Sequence, residues 1–115
     1  MNAFGLSKSV LYQIRQVLEN HPEAEKCVIY GSRALGTHRL NSDIDLTLTG
    51  ENLNFSTLLK IENELDDLFL PYQIDLSIMS KIDNQNLINH INRAGKVFYK
   101  RNQETFEATT ATSKV

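Results

Sequence analysis

The six residues "DIDLTL" at 43–48 alternate strictly between polar and apolar side chains. Successive side chains of an extended chain point to opposite faces, so Ile44, Leu46 and Leu48 share one face and Asp43, Asp45 and Thr47 the other. That pattern predicts a half-buried strand with a wet, acidic face, which is useful only in a sheet covered on its other side. The run "YQIDLSIM" at 72–79 repeats it, with Tyr72, Ile74, Leu76 and Ile78 on one face and Gln73, Asp75 and Ser77 on the other.

The rest of the chain supplies the cover. From Ser7, a fitting N-cap, Val10, Leu11, Ile14, Val17 and Leu18 recur at helical spacing, and Pro22 lies beyond the end. "KCVIY" at 26–30 is a short β-rich run ending at Gly31, and "SRALG" after it has room for one helical turn. A second amphipathic helix spans 54–70, carries Leu58, Ile61, Leu65 and Leu68, and is closed by Pro71. A third, capped by Asp83 or Asn84, carries Leu87, Ile88 and Ile91 and ends at Gly95; "KVFYK" reads as a final strand. Helices alternating with strands argue for an α/β domain, a small mixed sheet with helices packed on one face and the acidic site on the other. The domain is expected to fill residues 1–101, with 102–115 a polar, disordered tail.

Composition narrows the function classes. At 115 residues the chain is the size of one ordinary domain. A formal charge of −2 gives no field favouring an extended nucleic-acid footprint or an anionic membrane, and no apolar run approaches the roughly 18–20 residues of a membrane span. Cys27 is the single cysteine, so no intramolecular disulfide forms, and a soluble protein of the reducing cytoplasm is expected.

The chemistry gathers on the acidic face. Two carboxylates side by side on a strand repel unless a cation lies between them. If the strands of Asp45 and Asp75 are neighbours, Asp43, Asp45 and Asp75 converge on one patch and offer oxygen ligands to Mg²⁺, with room for two ions and phosphate oxygens. Asp75 then lies nearest an attacking hydroxyl and is suited to accept its proton. Gly31 and Ser32, at a strand-to-helix turn, suit close approach of a phosphate to backbone N–H groups. Arg33 and Arg39 are the nearest cations for phosphate charge, and Ser42 either turns the backbone or touches the ligand. His21, His38 and His90 lack a metal-like spacing and read as surface or packing residues, Cys27 and Tyr30 as core residues.

"GSRALGTHRLNSDIDL" followed by "YQIDLSIM" resembles the Gly-Ser … Ser-Asp-x-Asp-Leu signature of the DNA polymerase β-like nucleotidyltransferases, and the short chain resembles their minimal (MNT) members. The resemblance implies transfer of a nucleoside monophosphate, AMP for preference, from ATP or another NTP to a hydroxyl. It matches Asp43, Asp45 and Asp75 to the metal-binding carboxylates, and Gly31 and Ser32 to the phosphate turn. It also implies an antitoxin that pairs with a HEPN-family toxin and modifies it, within a homo- or hetero-oligomer. Many relatives carry a basic residue where this chain has Leu35. Two other readings compete: a binding module that neutralises its partner by covering it, and a transferase acting on a small hydroxyl compound such as an antibiotic.

Overall fold

The computed structural model describes residues 2–101; the tail expected over 102–115 lies outside the described residues. The elements run α1 (Lys8–Glu19), β1 (Lys26–Tyr30), α2 (Ser32–Leu35), β2 (Ile44–Thr49), α3 (Phe55–Asp66), β3 (Ile74–Ile78), a 3₁₀ turn (Met79–Lys81), α4 (Gln85–Ala94) and β4 (Lys96–Lys100).

Each long helix starts on a side-chain cap. Ser7 Oγ accepts from the Val10 N–H (3.2 Å), Asn54 Oδ1 from Thr57 (2.9 Å) and Asn84 Oδ1 from Leu87 (3.0 Å). α3 stops at Asp66 rather than continuing to Leu70, because Phe69 turns to a positive φ of 54° and the residue before Pro71 is steered away from helix.

The four strands lie in the order β3-β2-β1-β4. β1 is antiparallel to β2 and β4, whereas β2 and β3 are parallel and joined by α3. A parallel pair needs such a crossover, because a hairpin cannot return the chain in the same direction. The core fills the space between one sheet face and the helices α1 and α3, with Ile14, Leu18, Ile29, Ile44, Leu46, Leu48 and Ile61 among its fully buried side chains. His21 Nε2 meets Glu64 Oε2 at 2.9 Å and links the end of α1 to α3.

The helices are not confined to one face. α4 packs on the acidic side: its Ile91 lines a cavity with Val28 and Thr47, and a Cβ on Gly95 would collide with Val28 Cγ1 at 2.7 Å. α4 is amphipathic but buries only Ile91 fully, so its apolar positions do not reveal which sheet face they meet. Among the described residues no helix is long and apolar enough to cross a membrane.

Candidate active site

The parallel ladder sets Asp45 directly opposite Asp75, and the antiparallel ladder sets Asp45 opposite Tyr30. All three side chains therefore share the face turned away from the core. Asp45 is half-buried, Asp75 exposed. Burial first, and then the neighbouring charge of Asp75, pushes the Asp45 carboxyl above the ordinary aspartate range. A hydrogen bond with Asp75 and the charge of Asp43 act in the same direction.

Asp43 stands one residue before β2, exposed, in the connection from α2. Arg33 holds that connection. Its guanidinium donates to the carbonyls of Ser42 (2.9 and 3.1 Å), Phe4 (2.9 Å) and Leu40 (3.4 Å), and lies over the Tyr72 ring at 4.9 Å. At 2% exposure Arg33 is a buried brace, so its donors are committed to backbone and the expected phosphate contact is not formed from this position. Ser42 Oγ accepts from the Arg39 N–H at 2.7 Å and fixes the turn, the first of its two expected roles. Arg39 is exposed.

Gly31 leaves β1 at φ 75° and ψ −155°, a backbone state open in practice only to glycine. A Cβ there would overlap Asp45 Oδ2, so the turn passes directly beside the acidic pair. Ser32 begins α2 next to it, and the Gly31 carbonyl accepts from Ala34 and Leu35 (both 3.1 Å). The structure thus gathers Gly31, Asp45 and Asp75 tightly, with Ser32 and Asp43 at the margin.

Two side chains in this neighbourhood were not expected. His90, from α4, accepts the Gly31 N–H on Nε2 at 3.0 Å and meets the Tyr30 ring edge-on, 6.1 Å between centroids. The imidazole is therefore the tautomer with Nε2 free of hydrogen. Tyr30 is half-buried on the acidic face rather than in the core, and its hydroxyl is hydrogen-bonded to Ser77. Ser77 Oγ in turn donates to the fully buried Thr47 Oγ1 at 2.9 Å. Burial, followed by the charge of Asp45, pushes the Tyr30 phenol up. The only sequence signal for His90 is its place on a helix whose apolar stripe needs a partner.

The donor set is carboxylate oxygen alone, the chemistry of a hard divalent cation site, and a cation there would relieve the crowding that raises the proton affinity of Asp45. As the side chains stand, no three His, Cys, Asp or Glu among the described residues are gathered closely enough to hold an ion.

A mixed four-stranded sheet with paired acids beside a strand–Gly-Ser–helix turn defines the nucleotidyltransferase class of α/β proteins. The family model described as "Polymerase beta, Nucleotidyltransferase" matches residues 12–104, and the chain belongs to that family. A search of the curated proteins finds no match. Among solved structures, a chain of a toxin–antitoxin complex with AMP-PNP is similar at a TM-score of 0.62 and 20% identity, over 95% of this chain and 87% of that one. A chain from the tri-AMPylated Shewanella oneidensis HEPN toxin in complex with MNT antitoxin is similar at 0.61 and 18%, over 95% and 87%. A chain of the toxin–antitoxin pair MntA–HepT gives 0.61 and 18%, over 94% and 86%. At these identities the likeness is one of fold.

Proposed function

We propose that the protein is a Mg²⁺-dependent nucleotidyltransferase that moves a nucleoside monophosphate, AMP for preference, from an NTP to a hydroxyl on a HEPN-type partner protein. The observation that carries this reading is the in-register pair Asp45 and Asp75, set beside a glycine turn too close to admit a side chain. Similar folds described with AMP-PNP and with an AMPylated HEPN toxin support the donor and the partner.

Asp45 and Asp75, joined by Asp43 as the exposed third ligand, would hold Mg²⁺, which when bound supplies charge neutralisation for the triphosphate. The turn at Gly31 and Ser32 receives phosphate oxygens against the backbone. The acceptor oxygen bonds to the α-phosphorus, the bond from that phosphorus to the bridging oxygen breaks, and pyrophosphate leaves with the electron pair. Asp75, the more exposed of the pair, takes the hydroxyl proton. His90 keeps Gly31 in its unusual conformation.

The test mixes purified protein, labelled NTPs, Mg²⁺ and a HEPN partner encoded next to it. Label is expected on the partner, and Asp43→Asn with Asp45→Asn should abolish it while the fold persists. Transfer surviving that double change would overturn the assignment. An unlabelled partner that the double variant still neutralises would instead make the protein a binding module.

A further inference from the structure

The two edges of the sheet are built differently. β4 begins and ends with lysine, and its register against β1 shifts between Cys27 and Val28. Charge and irregularity of this kind discourage another strand from pairing. β3, at the opposite edge, contains no lysine and runs in unbroken register with β2.

The Ile44 N–H donates to the Gln73 carbonyl at 2.9 Å. In a parallel ladder alternate residues turn their backbone the same way, so Asp75 and Ser77 also face β2. Ile74 and Leu76 direct their N–H and C=O groups outward, and among the described residues no strand lies beyond them. A cavity of about 380 Å³ runs beside this edge, lined by Glu62 and Asp66 of α3 and by Gln73, Ile74, Asp75 and Leu76. Ile74, Asp75 and Leu76, consecutive in the strand, point to alternate faces, so a cavity touching all three follows the backbone edge and reaches both sides of the sheet. An apolar cavity of about 350 Å³, lined in part by Phe55, Leu58 and Ile78, continues from Leu76. The ionisable side chains of the first cavity, Glu62, Asp66 and Asp75, are all acidic, and it has no basic residue. That lining favours a positively charged occupant.

We propose that an extended, basic segment of the acceptor protein pairs with the outer edge of β3 and presents its hydroxyl to Asp75 from that added strand. This deepens the nucleotidyltransferase reading and rests on it for the identity of the occupant. An added strand lies about 4.8 Å from β3, which brings an opposed Ser, Thr or Tyr within reach of the Asp75 carboxylate. The residues on either side of that hydroxyl turn to the other face, where α3 carries Glu62 and Asp66. The segment thus has a basic–hydroxyl–basic pattern, with apolar residues toward Phe55. Main-chain pairing supplies affinity, and the alternating side chains supply selectivity.

The experiment measures amide hydrogen exchange by NMR on the full chain with two nine-residue peptides in a Val/Thr background, one centred on Lys-Tyr-Lys and one on Glu-Tyr-Glu. The basic peptide should slow exchange at Ile74 and Leu76 at least tenfold and the acidic one should not. In the Glu62→Lys, Asp66→Lys variant the preference should reverse; if that variant does not fold, Glu62→Gln with Asp66→Asn should abolish the preference. Unchanged exchange with both peptides, equal protection by both, or protection at Val97 and Tyr99 would overturn the proposal. So would protection already present without peptide, which would assign the edge to a second copy if it depends on concentration and to the chain itself if it does not. Label transfer is scored separately. Protection without transfer leaves the docking edge and removes the transferase reading, whereas transfer to the partner undiminished by the α3 changes does the reverse.

Discussion

Gly31→Ala is the sharpest probe of the site's geometry. An alanine at φ 75° and ψ −155° costs about 1–3 kcal/mol in backbone strain alone. Its Cβ would also meet Asp45 Oδ2, forcing that carboxylate off its rotamer at about 0.5–1.5 kcal/mol more. The lower chain entropy of unfolded alanine returns about 0.5 kcal/mol, leaving a loss of roughly 1–4 kcal/mol. At about 4–8 °C per kcal/mol, the middle of that range lowers Tm by roughly 10–20 °C. Gly36→Ala is the matched control. Gly36 also has a positive φ, 82°, but a Cβ there meets nothing within 4 Å, so only backbone strain is incurred. Urea melts of both variants, and of each combined with Asp45→Ala, isolate the collision as a coupling energy. Asp45→Ala should recover stability in the Gly31 variant and none in the Gly36 variant. A Gly31→Ala protein no less stable than Gly36→Ala, with no coupling to position 45, would refute the close approach of turn and carboxylate.

Arg33→Lys should lower stability by about 2–3 kcal/mol in a denaturant melt, because one ammonium cannot serve the carbonyls of Phe4, Leu40 and Ser42 and also stack on Tyr72. His90→Ala should speed amide exchange at Gly31 about tenfold, the loss of a hydrogen bond worth about 1.4 kcal/mol, and unchanged exchange would mean that Nε2 is not its acceptor. In the metal-free chain Asp45 holds its proton more tightly folded than unfolded, so its contribution is greatest at low pH and is lost as pH rises from the unfolded value of 3.8 through the raised folded one. Asp75→Asn removes an opposed charge and should flatten that decline in melts between pH 4 and 8, stabilising the fold above it by about 0.5 kcal/mol while abolishing transfer; an equal slope in both proteins would count against the pairing.

The elements legible in the sequence were those announced by local chemistry. β1 and β4 match "KCVIY" and "KVFYK" to the residue, and the caps at Ser7 and, of the pair Asp83 and Asn84, at Asn84 follow from side chains that can accept a backbone N–H. β2 keeps six residues but begins at Ile44 rather than Asp43 and runs on to Thr49, whereas β3 is shorter than its alternating run, because Tyr72 and Gln73 lie before the paired residues and Met79 enters the 3₁₀ turn. Asp45, Asp75 and Gly31 were visible as a group because each is an odd choice for its place, a charge on a strand or a turn without a side chain. The hydrogen bonds of Arg33 and His90 are not legible in the sequence, for the opposite reason. A buried guanidinium bound to three backbone carbonyls and an imidazole accepting one amide depend on contacts set by tertiary packing, and no spacing in the chain encodes them.

The unbroken parallel alignment of β2 and β3 has a consequence for how the chain finds its native form. Sliding β3 by a single position would drive Asp75 into the hydrocarbon interior and lift Ile74 and Leu76 into water, an exchange that loses free energy on both counts. The acid that lines the site therefore also penalises the nearest wrong pairing. Replacing it with a neutral apolar residue would do more than remove a ligand: it would weaken the bar against a misaligned sheet.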